Sequence, residues 1–463
     1  MSRIGIALSG GGHRATIWGI GVLFYVADAG RQGDVGVIAS VSGGSIANGV
    51  FAQEMDYAKT AAGDVRTLLR PLLRHVAYTG LFFWGPSTNL FVSTVFFLLG
   101  LGLLGFITGL IMAFIGGIGI MPGIILLASL AVLAAGAMVF SRRSAVVDSA
   151  LARTHFNRHG RPTRLAEVAR SLDHVMCATE LQSGEHFYFA PTFLYSYRFG
   201  CGQPADLRLS TAVQSSACLP GAFAARRLAT TPYRFQRGGS VTEPATIAGQ
   251  MLLTDGGVYD NMADQWLDGL ASRMKENAGL QVMAPALDEM IVVNSSAGPN
   301  WTAAPASWLL VRNELNTLAR VKDVQYAVST STRRHQLVTG WDAAAGLSHG
   351  TRGALVQIAQ SPFEVPDAFA DATAISPERA ARAQQALAWL GDTPGNRAAW
   401  AETARQDRAV PTVLRKLGPD PTARLLWHAY VLAAVNLHVI LDDFPLPPKP
   451  PAIADFLALI GPP

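Results

Sequence analysis

Three serines, Ser40, Ser42 and Ser45, crowd the corner VIASVSGGSIANGVF (residues 37–51), where an apolar run stops and a helical pattern begins at once. A nucleophilic serine needs such a place. On a sharp strand-to-helix turn its hydroxyl stands clear of the backbone, and the residues two before and two after it must be small because the chain crowds itself there. Ser40 has the bulky Ile38 two before it. Ser45, between Gly43 and Ala47, falls inside the first helical turn. Ser42, with Ser40 and Gly44 as neighbours, meets both conditions. Serines at such a corner can also simply cap the helix, and Ser40 stands where the usual G-x-S-x-G has its first glycine. The reading therefore depends on partners elsewhere in the chain.

Two further corners offer them. In LSGGGHRA (residues 8–15) a glycine run separates a strand pattern from a helix pattern. Its free N–H groups would suit a phosphate or an oxyanion, although such a loop can also be a plain turn. No Gly-Lys-Ser/Thr follows and no third spaced glycine, so neither a nucleotide P-loop nor a dinucleotide fingerprint fits. In LLTDGGVYDNM (residues 252–262) Asp255 closes a strand pattern. In isolation Asp-Gly is a turn; in a parallel sheet Asp255 could share the edge that carries Ser42 and act as its base. An ordinary aspartate is a poor base for a hydroxyl, so Asp255 is expected to be desolvated. A Ser-His-Asp triad is the rival arrangement, but the one histidine inside a motif, His13, reads as a variable, exposed position. Asp260 and Asn261 read as supports of the Asp255 loop.

The elements that must position these residues follow from the apolar pattern. Ile4–Leu8 and Val35–Ala39 are strand-like and each leads through a Ser/Gly turn into a helix, which argues for a parallel α/β sheet. Further strands are expected at His174–Thr179, His186–Ala190, Met251–Thr254, Met290–Asn294 and Ala354–Ile358. Helices are expected at Leu309–Val328, Ser376–Leu390 and Thr412–Leu441, and the proline-rich end from Asp442 is expected to be loosely ordered.

Between Val76 and Ser141 there is no Asp, Glu, Lys, Arg or His. Two apolar stretches, about Leu90–Ile115 and Ile118–Phe140, each exceed the ~18 residues needed to span a bilayer. The glycine-rich GGIGIMPG (residues 116–123) turns between them. Arg66, Arg70, Arg74 and His75 precede the pair and Arg142, Arg143 and Arg153 follow it, so both ends should lie on the cytoplasmic side. Tyr78, Phe82, Phe83 and Trp84 would form an aromatic belt. A buried helical hairpin or a re-entrant loop are the alternatives. Across 463 residues, 50% are hydrophobic and only 15% charged, which agrees with contact to lipid. A net charge of +4, without basic runs interleaved with aromatics, argues against nucleic acid as partner. Cys177, Cys201 and Cys218 are odd in number and lack CxxC spacing, which suggests a reducing compartment and neither disulfides nor zinc. The N-terminus carries no apolar leader pattern, and no ligand set for a metal accompanies the candidate residues.

Together SGGGHRA, SVSGGS and DGGVYDN, in that order, resemble the patatin-like phospholipase family, including its cytosolic phospholipase A2 relatives. SSACLPGAF (residues 215–223) resembles the family's proline-containing segment upstream of the aspartate, and residues 410–433 the helical end of many bacterial members. The resemblance implies a three-layer α/β/α fold with a mainly parallel sheet. A catalytic domain over residues 1–75 and 144–445 would be interrupted by a transmembrane hairpin at 76–143 and followed by a tail at 446–463. It implies a serine hydrolase without cofactor. Ser42 and Asp255 would form a catalytic dyad, and the N–H groups of Gly10, Gly11 and Gly12 an oxyanion hole. Arg14 would hold either a phosphate headgroup or the glycine loop. Membrane phospholipid is the implied substrate, and a two-pass protein of the inner membrane with a cytoplasmic catalytic domain the implied placement. A catalytically silent membrane effector on the same fold, and a phosphate-binding membrane protein using the glycine loop, are the other readings.

Overall fold

The strands alternate between two cores. On the first strand Ile4, Ile6 and Leu8 face one apolar cluster while Ala7 faces the other; Met176 and Ala178 are likewise separated from Val175 and Cys177. A sheet buried on both faces explains why these segments read as continuous apolar runs. The computed structural model describes residues 3–463 except 82–85, 118, 169, 237–248, 278, 299–309, 345–349 and 372–375.

In chain order, β1 (Ile4–Leu8) and β2 (Val35–Val41) precede a detached two-stranded hairpin, β3 (Asn157–Arg158) and β4 (Arg161–Pro162). Then come β5 (Asp173–Glu180), β6 (Glu185–Phe189), β7 (Leu194–Ser196), β8 (Gly200–Gly202), β9 (Arg226–Ala229), β10 (Gln250–Asp255), β11 (Glu289–Asn294) and β12 (Arg352–Gln357). The ten-stranded sheet runs β12-β11-β1-β2-β5-β6-β7-β8, with β10 paired to β5 and β9. From β12 to β5 all pairings are parallel. The remainder, including the β5–β10 pairing, are antiparallel. The sheet is thus mixed, and its antiparallel wing uses strands of three or four residues (β7, β8 and β9) too short to show a pattern in sequence.

One face is covered by α1 (Gly12–Asp28), α2 (Gly43–Glu54) and α3 (Ala62–Arg74), which place Ile17, Phe51 and Leu69 in the first core. Next come α4 (Pro86–Gly116), α5 (Ile120–Ser141), α6 (Arg143–Thr154) and α7 (Leu209–Ser216). The other face is covered by α8 (Asp264–Asp268), α9 (Leu270–Glu276) and α10 (Leu310–Ala344), through Trp266, Leu270 and Leu337. The C-terminal part contains α11 (Glu364–Ala370), α12 (Pro377–Leu390), α13 (Pro394–Arg408), α14 (Pro419–Ile440) and α15 (Ile453–Ile460). Ser376 accepts from Arg379 N–H as the cap of α12, with Pro377 in its first turn.

Among the described residues, three helices are long and apolar enough to cross a membrane, Thr88–Gly116, Ile120–Ser141 and Pro419–Ile440. Their surroundings separate them: the most apolar window of α14 is 78% buried, those of the first two only 11%. The apolarity of α14 serves the core, where Trp18 of α1 meets His428 edge-on at 4.9 Å. The other two helices pack side by side in opposite directions. A Cβ added at Gly102 would stand 2.7 Å from Leu133 Cγ, at Gly105 2.4 Å from Ser129 Oγ, and at Gly109 2.8 Å from Leu126 Cγ. Small residues at such spacing let helices approach closely without a hydrophobic driving force between them.

Two expectations change. The proline-rich end is ordered: Phe444, Phe456 and Ile460 are buried, and the carbonyls of Pro445, Pro447 and Pro451 accept from Tyr25, Trp389 and Trp427. Of the aromatic belt, Tyr78 donates to Gly461 O at 2.8 Å and so ties down that end. Phe82, Phe83 and Trp84 lie outside the described residues.

Candidate active site

Ser42 follows β2 directly and precedes α2 with φ 53° and ψ −118°. A non-glycine residue there costs about 1–3 kcal/mol, so the surroundings must hold it. Its N–H donates to Ser216 Oγ at 3.0 Å, and Ser216 Oγ in turn donates to Cys177 O at 2.6 Å. Close approach explains the glycine that follows. A Cβ on Gly44 would lie 2.5 Å from Leu8 O, so a larger residue would push the turn off the glycine loop. Ser40, in the usual glycine position, points into a polar nest. Its hydroxyl lies 3.1 Å from Val175 O and 3.0 Å from Ser45 Oγ and accepts from Asn48 Nδ2 at 2.9 Å. The serine is accommodated because its hydroxyl is hydrogen-bonded in the core.

Asp255 reaches Ser42 by a route the strand patterns did not predict. On the same side of β5, Val41 pairs with Cys177 and Asp255 with the next residue, Ala178. The β2 and β10 strands therefore meet head-on: β10 runs antiparallel to β5, and both chains end at the site. Asp255 is 1% exposed, the desolvation expected of it. Its N–H donates to Cys218 O at 3.0 Å, and its Oδ1 accepts from Gly257 N–H at 2.8 Å. Asp260 accepts from Met262 N–H and Gln265 N–H, the supporting role expected of it.

The segment 215–223 thus holds both candidate residues, Ser42 through Ser216 and Asp255 through Cys218. The sequence marked the segment without marking Ser216. Ser216→Ala should leave Ser42 N–H without its acceptor and lower turnover by roughly tenfold to a hundredfold. Steady-state kinetics should show this mainly in kcat.

In the glycine loop, Gly11 has φ 144°, open only to glycine. Gly10 departs from the expected role: its N–H donates to Asn261 O at 2.9 Å, which leaves the N–H groups of Gly11 and Gly12, at the start of α1, as the loop's donors. Arg14 is buried and donates to Val410 O at 2.6 Å, which fits support of the loop. Burial lowers its pKa to about 10. His13 is buried, contrary to the exposed position expected. Its N–H donates to Val413 O, and its Nδ1 lies 2.9 Å from Arg415 O.

Burial lowers the His13 pKa to about 4 from an ordinary 6.5, with neighbouring His75 adding a smaller effect and the Arg415 carbonyl opposing it. An unfolded His13 takes up its proton first as pH falls, so stability should decline below the unfolded value and down to about 4. Between about pH 7 and about pH 5 the loss from this residue should be roughly 2 kcal/mol. Urea unfolding in detergent should show a weaker pH dependence for His13→Asn than for the wild type.

Gly10, Gly11, Gly12, Arg14, Ser42 and Asp255 all line one cavity of about 1000 Å³. Tyr326 of α10 also lines it; a Cβ on Gly257 would stand 2.9 Å from Tyr326 Cε1. Burial, and then the charge of Asp255, raise the Tyr326 pKa. No motif marks Tyr326.

The flanks of the α4–α5 pair are bonded to the walls of this cavity. Before α4, Leu81 N–H donates to Leu414 O, while Val76 O and Ala77 O accept from Leu417 and Gly418 N–H. After α5, Arg143 donates to Ala222 O at 3.0 Å, and Ser144 to Ala224 O. Leu414 and Ala222 both line the cavity.

A family model described as patatin-like phospholipase matches residues 6–263. Among solved structures the chain is similar to human GIVD cytosolic phospholipase A2, at 14% identity and TM-score 0.37 over 69% of this chain and 45% of that one. It is also similar to the human protein's complex with methyl gamma-linolenyl fluorophosphonate inhibitor and terbium chloride. There identity is 11% and TM-score 0.38 over 99% of this chain and 59% of that one. VipD from Legionella pneumophila is similar at 12% identity and TM-score 0.27, over 99% and 90% of the two chains. The chain thus spans about half the length of the human structures it matches. No curated protein matches it.

Proposed function

The chain belongs to the patatin-like phospholipase family, and we propose that it is a membrane-anchored lipid acyl hydrolase that cleaves carboxylic esters of phospholipids with a Ser42–Asp255 dyad. The observation that carries this reading is the head-on meeting of β2 and β10 on β5, which brings Ser42 and Asp255 to one cavity.

In the proposed reaction Asp255 takes the proton of Ser42 Oγ as the oxygen attacks the ester carbonyl. The oxyanion is received by Gly11 and Gly12 N–H, each donor contributing on the order of 3 kcal/mol. Collapse breaks the ester bond. The lysophospholipid leaves with the proton from Asp255, and the acyl group stays on Ser42. Water then attacks the acyl-enzyme, Asp255 takes its proton and returns it to Ser42, and the fatty acid is released.

The α4–α5 pair is read as a hairpin crossing the inner membrane twice, with the catalytic domain on the cytoplasmic side. Its low burial, its lack of charge and its basic flanks support this. The hydrogen bonds from both flanks to the cavity walls would keep the site beside the leaflet that supplies its substrate.

The reading is tested by acyl release from labelled phospholipid vesicles with wild type, Ser42→Ala and Asp255→Asn. Equal release by all three would remove the dyad.

A further inference from the structure

The cavity is lined by Arg14, Arg320, Arg334, Arg408 and Arg415 against two aspartates, Asp255 and Asp323. Several arginines elsewhere in the chain are paired with carboxylates, as Arg208 and Arg226 are with Asp148 and Arg424 is with Asp407. Four of the cavity's arginines have no such partner among the described residues, and one of them, Arg14, is buried and donates to Val410 O. Among the described residues, Arg334 donates only to Gln357 Oε1 at 3.2 Å and Arg408 only to Ala297 O at 2.7 Å. Arg415 uses its own carbonyl to bind His13, and its guanidinium bonds to no described residue. Arg408 and Arg415 are exposed at the rim and Arg334 is half-buried. The 217–223 segment, by contrast, contributes Ala217, Leu219, Ala222 and Phe223 to the same cavity.

A cavity with an apolar wall and guanidinium groups that meet no counter-charge among the described residues suits a ligand with an acyl chain and an anionic head. Guanidinium binds phosphate oxygens through paired hydrogen bonds, whereas a headgroup ammonium would meet like charge. We infer that the preferred substrate is an anionic phospholipid such as phosphatidylglycerol, its headgroup held by Arg334, Arg408 and Arg415. This rests on the hydrolase reading above for its chemistry, but the binding it asserts can be measured without turnover.

Vesicles of one fixed phosphatidylglycerol/phosphatidylcholine composition, with a trace of either lipid labelled, keep surface attraction constant. Release of label from phosphatidylglycerol should exceed that from phosphatidylcholine by about tenfold. The ratio should fall towards one in Arg408→Gln, Arg415→Gln and their double variant. A wild-type ratio near one, or a ratio retained in all three variants, overturns the inference.

Binding is measured separately with Ser42→Ala in detergent and soluble dihexanoyl lipids. Preference for the glycerol headgroup there, without acyl release by the wild type, would sink the hydrolase reading and leave the headgroup site standing. Equal binding of the two lipids sinks the headgroup site. So does displacement by inorganic phosphate or glycerol phosphate as effective as displacement by lipid, since the site would then take free phosphate.

Discussion

Replacing Ser42 with alanine should lower acyl release by about ten-thousand-fold or more, because the step that forms the acyl-enzyme is lost while the rest of the cavity remains. Asp255→Asn should cost about a hundredfold to ten-thousand-fold, since the amide can keep the bond from Gly257 N–H but cannot accept the serine proton. A second measurement separates a catalytic elbow from an idle one. With φ at 53° and ψ at −118°, Ser42 holds a conformation that favours glycine. Ser42→Gly should therefore be as inactive as alanine yet raise unfolding stability by about 1 kcal/mol, while alanine should not. A silent effector has no use for a side chain that costs stability at this corner. Acyl release or fluorophosphonate labelling that survives either substitution would move the nucleophile away from Ser42.

The parts of the fold and site that were legible in sequence are those fixed by local pattern. The strands at Ile4–Leu8 and Val35–Val41 announced themselves because both faces are buried. Steric sorting separated Ser42 from Ser40 and Ser45 because crowding at a tight turn involves only adjacent residues. What depended on pairing was not legible. Asp255 was expected at the end of a parallel strand, but β10 is antiparallel to β5 and meets β2 end to end, a relation set by which strand lies beside β5. Gly10 looked equivalent to its two neighbours until Asn261, far along the chain, proved to accept its N–H. His13 lay buried because the 413–415 strap covers it, and nothing near His13 encodes that strap. Ser216 and Tyr326, and the cavity arginines on α10 and the strap, are brought in by tertiary packing, so no short motif could mark them. Apolarity was ambiguous in the same way: α14 and α5 have the same length, and only their neighbours tell core from surface.

That ambiguity leads to a further test of large effect. Leu104 and Leu130, near the middles of α4 and α5, are 64% and 50% exposed. If water surrounds the two helices, arginine at these positions extends into solvent, costs little and improves solubility. If lipid surrounds them, each arginine near mid-helix costs about 2.5–3.5 kcal/mol on the insertion scale. Because Gly102, Gly105 and Gly109 bring the helices close, both charges would burden one closely packed pair. Leu104→Arg/Leu130→Arg should therefore lose most of its carbonate-resistant membrane fraction and be degraded or aggregate. The same two sites changed to alanine should fractionate as the wild type. The bonds from Leu81 to Leu414 and from Arg143 to Ala222 run from the flanks of the α4–α5 pair to the cavity walls. Any surviving arginine variant should therefore also lose acyl release from vesicles more than from detergent-dispersed lipid. A double variant that stays soluble, monodisperse and fully active on vesicles would place both helices outside the bilayer.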